Sequence, residues 1–185
     1  MQVSNKFLQD LVSQYDAMKV AVRTVADDLT EEQFNQRPEK NRWSVGECIE
    51  HLNTSYAAYN PIIKNIISCS INDSVNNPDD YKIRLHFKIF CKWLEPPYKM
   101  KIKTFDIFTP DERLNKEETT NQFITNTDEF INFIKQSEKV DLKKTIITSP
   151  VTDKLKFRLG ELFPFMAAHI RRHIWQAESV KKLIS

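Results

Sequence analysis

Ala168-His169-Ile170-Arg171-Arg172-His173-Ile174-Trp175-Gln176 places two histidines four residues apart where a core-facing helix ordinarily carries leucine. Extended outward, Leu162, Met166, His169, His173, Ala177, Val180 and Ile184 advance by threes and fours, so one helix face carries them all and both imidazoles point inward. Side chains at i and i+4 lie about 5–6 Å apart at Cβ, close enough for two rings to share one ion. A buried imidazole needs a polar partner, and two neighbours repel when protonated. Two arrangements meet that need: each ring bonded across a helix bundle to a carbonyl or carboxylate, or both bound to a metal through neutral nitrogens. The zincin pattern H-E-x-x-H is excluded, because Ile170 stands where its general base belongs. A metal would need a third ligand from elsewhere in the chain.

His51 is the leading candidate, within Arg42-Trp43-Ser44-Val45-Gly46-Glu47-Cys48-Ile49-Glu50-His51-Leu52. Ser44 with Glu47 three residues on is a capping box, which starts a helix and sets His51 in its second turn. Val45, Ile49, Leu52, Tyr56, Tyr59 and Ile63 form the apolar stripe of that helix, with Cys48, His51 and Ser55 along its border. Glu47 reads either as the cap or as a base or ligand one turn before His51, and capping accounts for it without chemistry. Cys48 either approaches the same site or, the reading favoured, is a buried inert thiol. His86 has no partner at helical spacing and reads as structural or exposed.

Pro38, Trp43-Ser44-Val45-Gly46-Glu47, His51-Leu52, Gly160-Glu161-Leu162 and the stretch His169 to Gln176 together resemble the DinB-like superfamily of metal-dependent enzymes. The resemblance covers roughly Pro38 to Leu52 and Gly160 to Glu178, and its motifs are specific in combination; residues 70–115 carry no such signature. It implies an all-α fold, a four-helix bundle with one metal ion held by a histidine of the second helix and two of the last. Those ligands map onto His51, His169 and His173. It also implies a homodimer, and it draws in Gln176, which either holds a water, orients a histidine or contacts substrate, or is a surface amide.

Three neutral imidazoles leave at least one coordination position open, as in catalytic rather than closed structural zinc sites. A water there would ionise near pH 7, at roughly neutral conditions, or a thiol would bind as thiolate. The expected cofactor is one divalent metal ion, zinc or nickel first and iron or manganese next, with a low-molecular-weight thiol as a further co-substrate that the resemblance implies. Three functions stand open: a hydrolase acting on a small ester or amide, a thiol transferase, or a non-catalytic metal-binding or protein-interaction bundle. The expected partner is a small-molecule substrate.

The same periodicity predicts long helices near Ser4–Asp28, Ser44–Ser68, Asn115–Ser137 and Gly160–Leu183, with one additional short helix from Tyr81 to Leu94. Asn72 to Asp80 reads as a loop, Glu95-Pro96-Pro97 ends the short helix, and the segment on to Pro110 either wraps the bundle or lines the site mouth. Pro150 breaks the second long connection and Pro164 is placed to kink the last helix. A chain of 185 residues suits one domain spanning 1–185, and its two glycines favour helices over tight hairpins. With 27 basic and 25 acidic residues the net charge is +2, which argues against nucleic acid as a partner. Cys48, Cys69 and Cys91 form no disulfide framework. Neither a spanning segment nor a signal-peptide core is evident, so no membrane partner and a cytoplasmic location are expected. Trp93 and Tyr98 are the aromatics available to a dimer contact.

Overall fold

Six α-helices and one two-stranded hairpin make up the computed structural model, which describes residues 3–97, 104–111 and 113–184. Four helices are long: α1 (Lys6–Asp27), α3 (Val45–Ser70), α5 (Lys116–Gln136) and α6 (Leu159–Ile184). They stand where the apolar periodicity puts them, with ends moved by a residue or two because the capping residues lie just outside. Asn5 accepts from the Leu8 amide at 3.1 Å, Ser44 from Glu47 at 3.1 Å and Asn115 from Glu118 at 2.9 Å, each relieving an amide that has no partner inside its helix. The start of α6 is built differently. The strand before it runs straight in, and the Leu159 and Gly160 amides donate to the Thr145 and Leu142 carbonyls at 2.9 and 3.1 Å.

Helix packing forms a ring, α1 against α5, α5 against α3, α3 against α6 and α6 against α1, while α1 and α3 touch only lightly. At its centre Phe130 packs between Tyr15 at 5.1 Å, Tyr56 at 5.4 Å and Phe163 at 5.7 Å, all four fully buried. Burying each such ring contributes about 1.5–3 kcal/mol. The Tyr15 hydroxyl donates to the Phe163 carbonyl at 2.7 Å, so the buried phenol is not left unpaired.

Two shorter helices and the hairpin close the ring's ends. α2 (Glu31–Asn35), absent from the sequence expectation, has its own capping box between Thr30 and Gln33 and sinks Phe34 completely. α4 (Leu85–Leu94) is the expected short helix, starting later than Tyr81 because Arg84 is still extended. It is strapped to α6 at both ends. Arg84 forks onto the fully buried Glu161 through Nε at 2.7 Å and Nη2 at 2.6 Å, and Arg171 grips Glu95 through Nε at 2.9 Å and through Nη2. The hairpin β1 (Ile146–Thr148) and β2 (Lys156–Arg158) pairs antiparallel with Ile147 opposite Phe157, both buried. Few glycines do not forbid it, since its loop runs from Ser149 to Leu155 and needs no tight two-residue turn. Both α6 and α3 run through internal prolines, Pro164 and Pro61.

The chain's two glycines sit where the histidine-bearing helices begin. A Cβ on Gly46 would lie 2.6 Å from the Phe34 ring, and one on Gly160 would lie 2.5 Å from the Tyr81 ring. Among the described residues, no helix is long and apolar enough to cross a membrane.

Candidate metal centre

His51 is presented by the second turn of α3, whose start is fixed by a complete capping box. Glu47 accepts from the Ser44 amide at 2.8 Å, and its carboxylate is also held by Arg37, through Nε at 2.8 Å and through Nη2. Burial pushes the Glu47 carboxyl up, but the Arg37 guanidinium and the Ser44 donors outweigh it and leave the pKa below the ordinary carboxylate value. Glu47 is therefore spent on structure, as the capping reading has it, and its carboxylate is not among the atoms that converge with the histidines. Cys48 is fully buried, and burial pushes its thiol far up, so it stays protonated and inert.

α6 delivers His169 and His173 one turn apart on the face turned to α3. One ring nitrogen from each of His51, His169 and His173 lies within 4.8 Å of the others, the one such group of potential ligands among the described residues. The ring centroids are 5.1 Å apart for His51 and His169, 4.5 Å for His51 and His173, and 4.7 Å for His169 and His173. His51 Nδ1 lies 2.8 Å from the Phe108 carbonyl, which can only accept, so Nδ1 carries the proton and Nε2 turns a lone pair toward the cluster. That Nε2 stands 3.2 Å from His169 Nε2.

All three rings are held neutral. Burial lowers the His51 pKa, against the pull of the Phe108 carbonyl. It lowers that of His169 to about 3, with the neighbouring His51 and Arg172 adding to the effect. His173 is driven well down by burial, then by His169, His51 and Arg172. Gln176 works the other way on His173, yet makes no good hydrogen bond to Nδ1, which is buried without a partner. Protons therefore do not compete for these donors near neutral pH.

Metal ligation fits these rings better than a hydrogen-bonded core. One N–H···N bond would account for the 3.2 Å contact between His51 and His169 but leaves the His173 nitrogen unsatisfied. Two nitrogens at about 2.0–2.1 Å from one tetrahedral ion stand about 3.3 Å apart, close to the separation already present. A set of three neutral imidazoles is also a known donor set for a catalytic divalent ion. The walls are apolar: Trp43 lies 5.0 Å from the His51 ring and 5.8 Å from His173, Phe108 meets His51 edge-on, and Phe165 stacks along His169 at 6.3 Å. His51 and His173 are buried while His169 keeps partial exposure, so the cluster reaches solvent on the His169 side.

The larger clefts lie elsewhere. One of about 780 Å³ is lined by Asn77, Tyr81 and Lys144, and one of about 900 Å³ by Glu31, Gln36 and Arg113. Neither is lined by a histidine, so the convergence of the rings and not cleft size marks the site. His86 is exposed against Phe87 on α4 and stands outside the cluster. The Phe108 carbonyl and the Phe165 wall were not legible beforehand. The first is main chain in a segment without periodicity; the second follows Pro164 on the same helix and reads in sequence as ordinary core.

No curated protein and no solved structure matches the chain. The sequence model of the DinB superfamily matches residues 14–177, a span that takes in all three histidines, and the chain belongs to the DinB superfamily.

Proposed function

We propose that this protein is a metal-dependent enzyme whose three histidines hold one divalent ion, zinc or nickel, to activate a water or a low-molecular-weight thiol against a small-molecule substrate. The observation that carries the reading is the convergence of one nitrogen from each of His51, His169 and His173 within 4.8 Å. The bound ion would supply Lewis acidity, which turns a water or thiol into a nucleophile near neutral pH. The chain's own residues do the rest. The Phe108 carbonyl fixes the tautomer and ring orientation of His51, a role that raises ligand basicity. Trp43, Phe108 and Phe165 keep bulk water from the rings on the walled sides, which strengthens local electrostatics. Gln176, beside His173, would hold a water, orient that ring or contact substrate.

A second reading, a non-catalytic metal-binding bundle, draws on one fact: Glu47, the carboxylate that the sequence brings nearest His51 on its own face, is fully engaged by Arg37 and Ser44. The purified protein, stripped and reloaded with zinc or nickel, separates these readings when assayed on activated esters and on a thiol with an electrophile. Ester turnover without thiol, lost in His169→Ala, supports the hydrolase; turnover only with thiol, lost in the same variant, supports the transferase. Metal bound at one ion per chain with no turnover of either kind sinks the enzymatic reading.

A further inference from the structure

Helix α4 is apolar on two faces. Inward, Phe87 packs on Phe157 at 5.4 Å and Phe90 stacks on Phe165 at 5.7 Å, while the ion pairs at either end hold the helix against α6. Outward, Leu85, Ile89 and Trp93 repeat every fourth residue and are 72, 42 and 60 % exposed. The exposed Lys88 and Lys92 border this row, and no acidic residue lies within the helix. Along 82–97 the basic residues Lys82, Arg84, Lys88 and Lys92 outnumber the single acid, Glu95, which Arg171 holds.

We propose that this outer face of α4 docks onto an anionic lipid surface, with Leu85, Ile89 and Trp93 entering the interfacial layer and Lys88 and Lys92 meeting the headgroup phosphates. An apolar row with a tryptophan, edged by lysines and free of acids, is the composition that binds in the plane of a bilayer. No spanning helix is needed, since α4 lies on the surface. The row is one side chain wide and about 12 Å long. That is too small for the core of a stable protein interface, which takes about 800 Å² from each partner, but it suffices for shallow insertion. A second copy of the chain is a poorer occupant, because two-fold pairing through this face sets lysine against lysine. The two end straps keep the row displayed, so docking costs little ordering of the helix.

Co-sedimentation of the full chain with vesicles tests this directly. Vesicles of phosphatidylcholine mixed with phosphatidylglycerol should bind the protein at low salt, pure phosphatidylcholine vesicles should bind it far less, and added salt should release it. Each lysine near such a surface strengthens binding about fivefold, so Lys88→Glu with Lys92→Glu should weaken partitioning at least about tenfold, while Lys88→Arg with Lys92→Arg should restore it. A blue shift of tryptophan emission on anionic vesicles should vanish in Trp93→Phe. All three replaced side chains are exposed, and circular dichroism checks that the variants fold. No binding to anionic vesicles at low salt overturns the proposal, as does binding indifferent to the lysine reversals. A concentration-dependent dimer in light scattering that Trp93→Ser abolishes overturns it too, because it assigns the face to a second copy.

Discussion

At the scale of the residue, His173 Nδ1 is the telling atom. A buried polar nitrogen without a partner costs about 1–3 kcal/mol, a cost that ligation through it would relieve. His51→Ala, His169→Ala and His173→Ala should each lower metal per chain strongly after reloading, whereas His86→Ala should bind as wild type, read by elemental mass spectrometry. Equal occupancy in all four variants would remove the centre. Glu161 makes a different prediction. Burial raises its carboxyl and Arg84 with the Arg158 and Arg84 amides lowers it, for a net pKa below its ordinary value of 4.5. The folded state thus binds fewer protons than the unfolded chain, so this stabilisation is full above the unfolded pKa and is lost as pH falls through the folded one. Glu161→Gln should lower Tm at pH 7 but flatten the fall in Tm between about pH 5 and 3. Parallel curves for the two proteins would show that the carboxylate does not carry that pH dependence. The histidines and the Glu47 cap were legible because both rest on spacing along a helix. The Phe108 contact was not, since a main-chain acceptor leaves no mark on residue type.

At the scale of the element, the two glycines decide how the histidine-bearing helices are seated. Alanine is favoured over glycine in a helix by up to about 1 kcal/mol, so Gly→Ala would ordinarily stabilise each first turn. Here the added methyl meets a ring. Phe34 beside Gly46 is fully buried and has nowhere to go, and overpacking of this kind costs about 1–3 kcal/mol. Tyr81 beside Gly160 is only half-buried, and its ring tip can swing out if its hydroxyl gives up the 3.2 Å bond to the Leu142 carbonyl. Gly46→Ala should therefore lower denaturant-derived stability by more than Gly160→Ala; the reverse order would show that the α2 seat is the softer one. The long helices were readable from unbroken three-four stripes and from their caps. α2 and the hairpin were not, because five helical residues and two three-residue strands are too short to establish a period, and their places are set by the burial of Phe34, Ile147 and Phe157. Trp93, named as a candidate dimer contact, is exposed on α4, while Tyr98 lies outside the described residues.

At the scale of the whole molecule, the contact between His51 and His169 joins positions 118 residues apart in the chain. An ion gripped by both would be a removable cross-link between α3 and α6, closing the loop between them as a disulfide would. Ligand that binds only the folded chain stabilises it by about 4 kcal/mol at a thousandfold excess over Kd. Metal-loaded protein should accordingly melt higher than chelated protein, and the difference should disappear in His169→Ala; identical melting curves for loaded and chelated wild type would refute the cross-link. The kinetic side follows from the same closure. Releasing α6 from α3 must break the staple before the helices part, so chelation should act first on how fast the chain opens, and a protease that cuts only the opened form would read it as a clock.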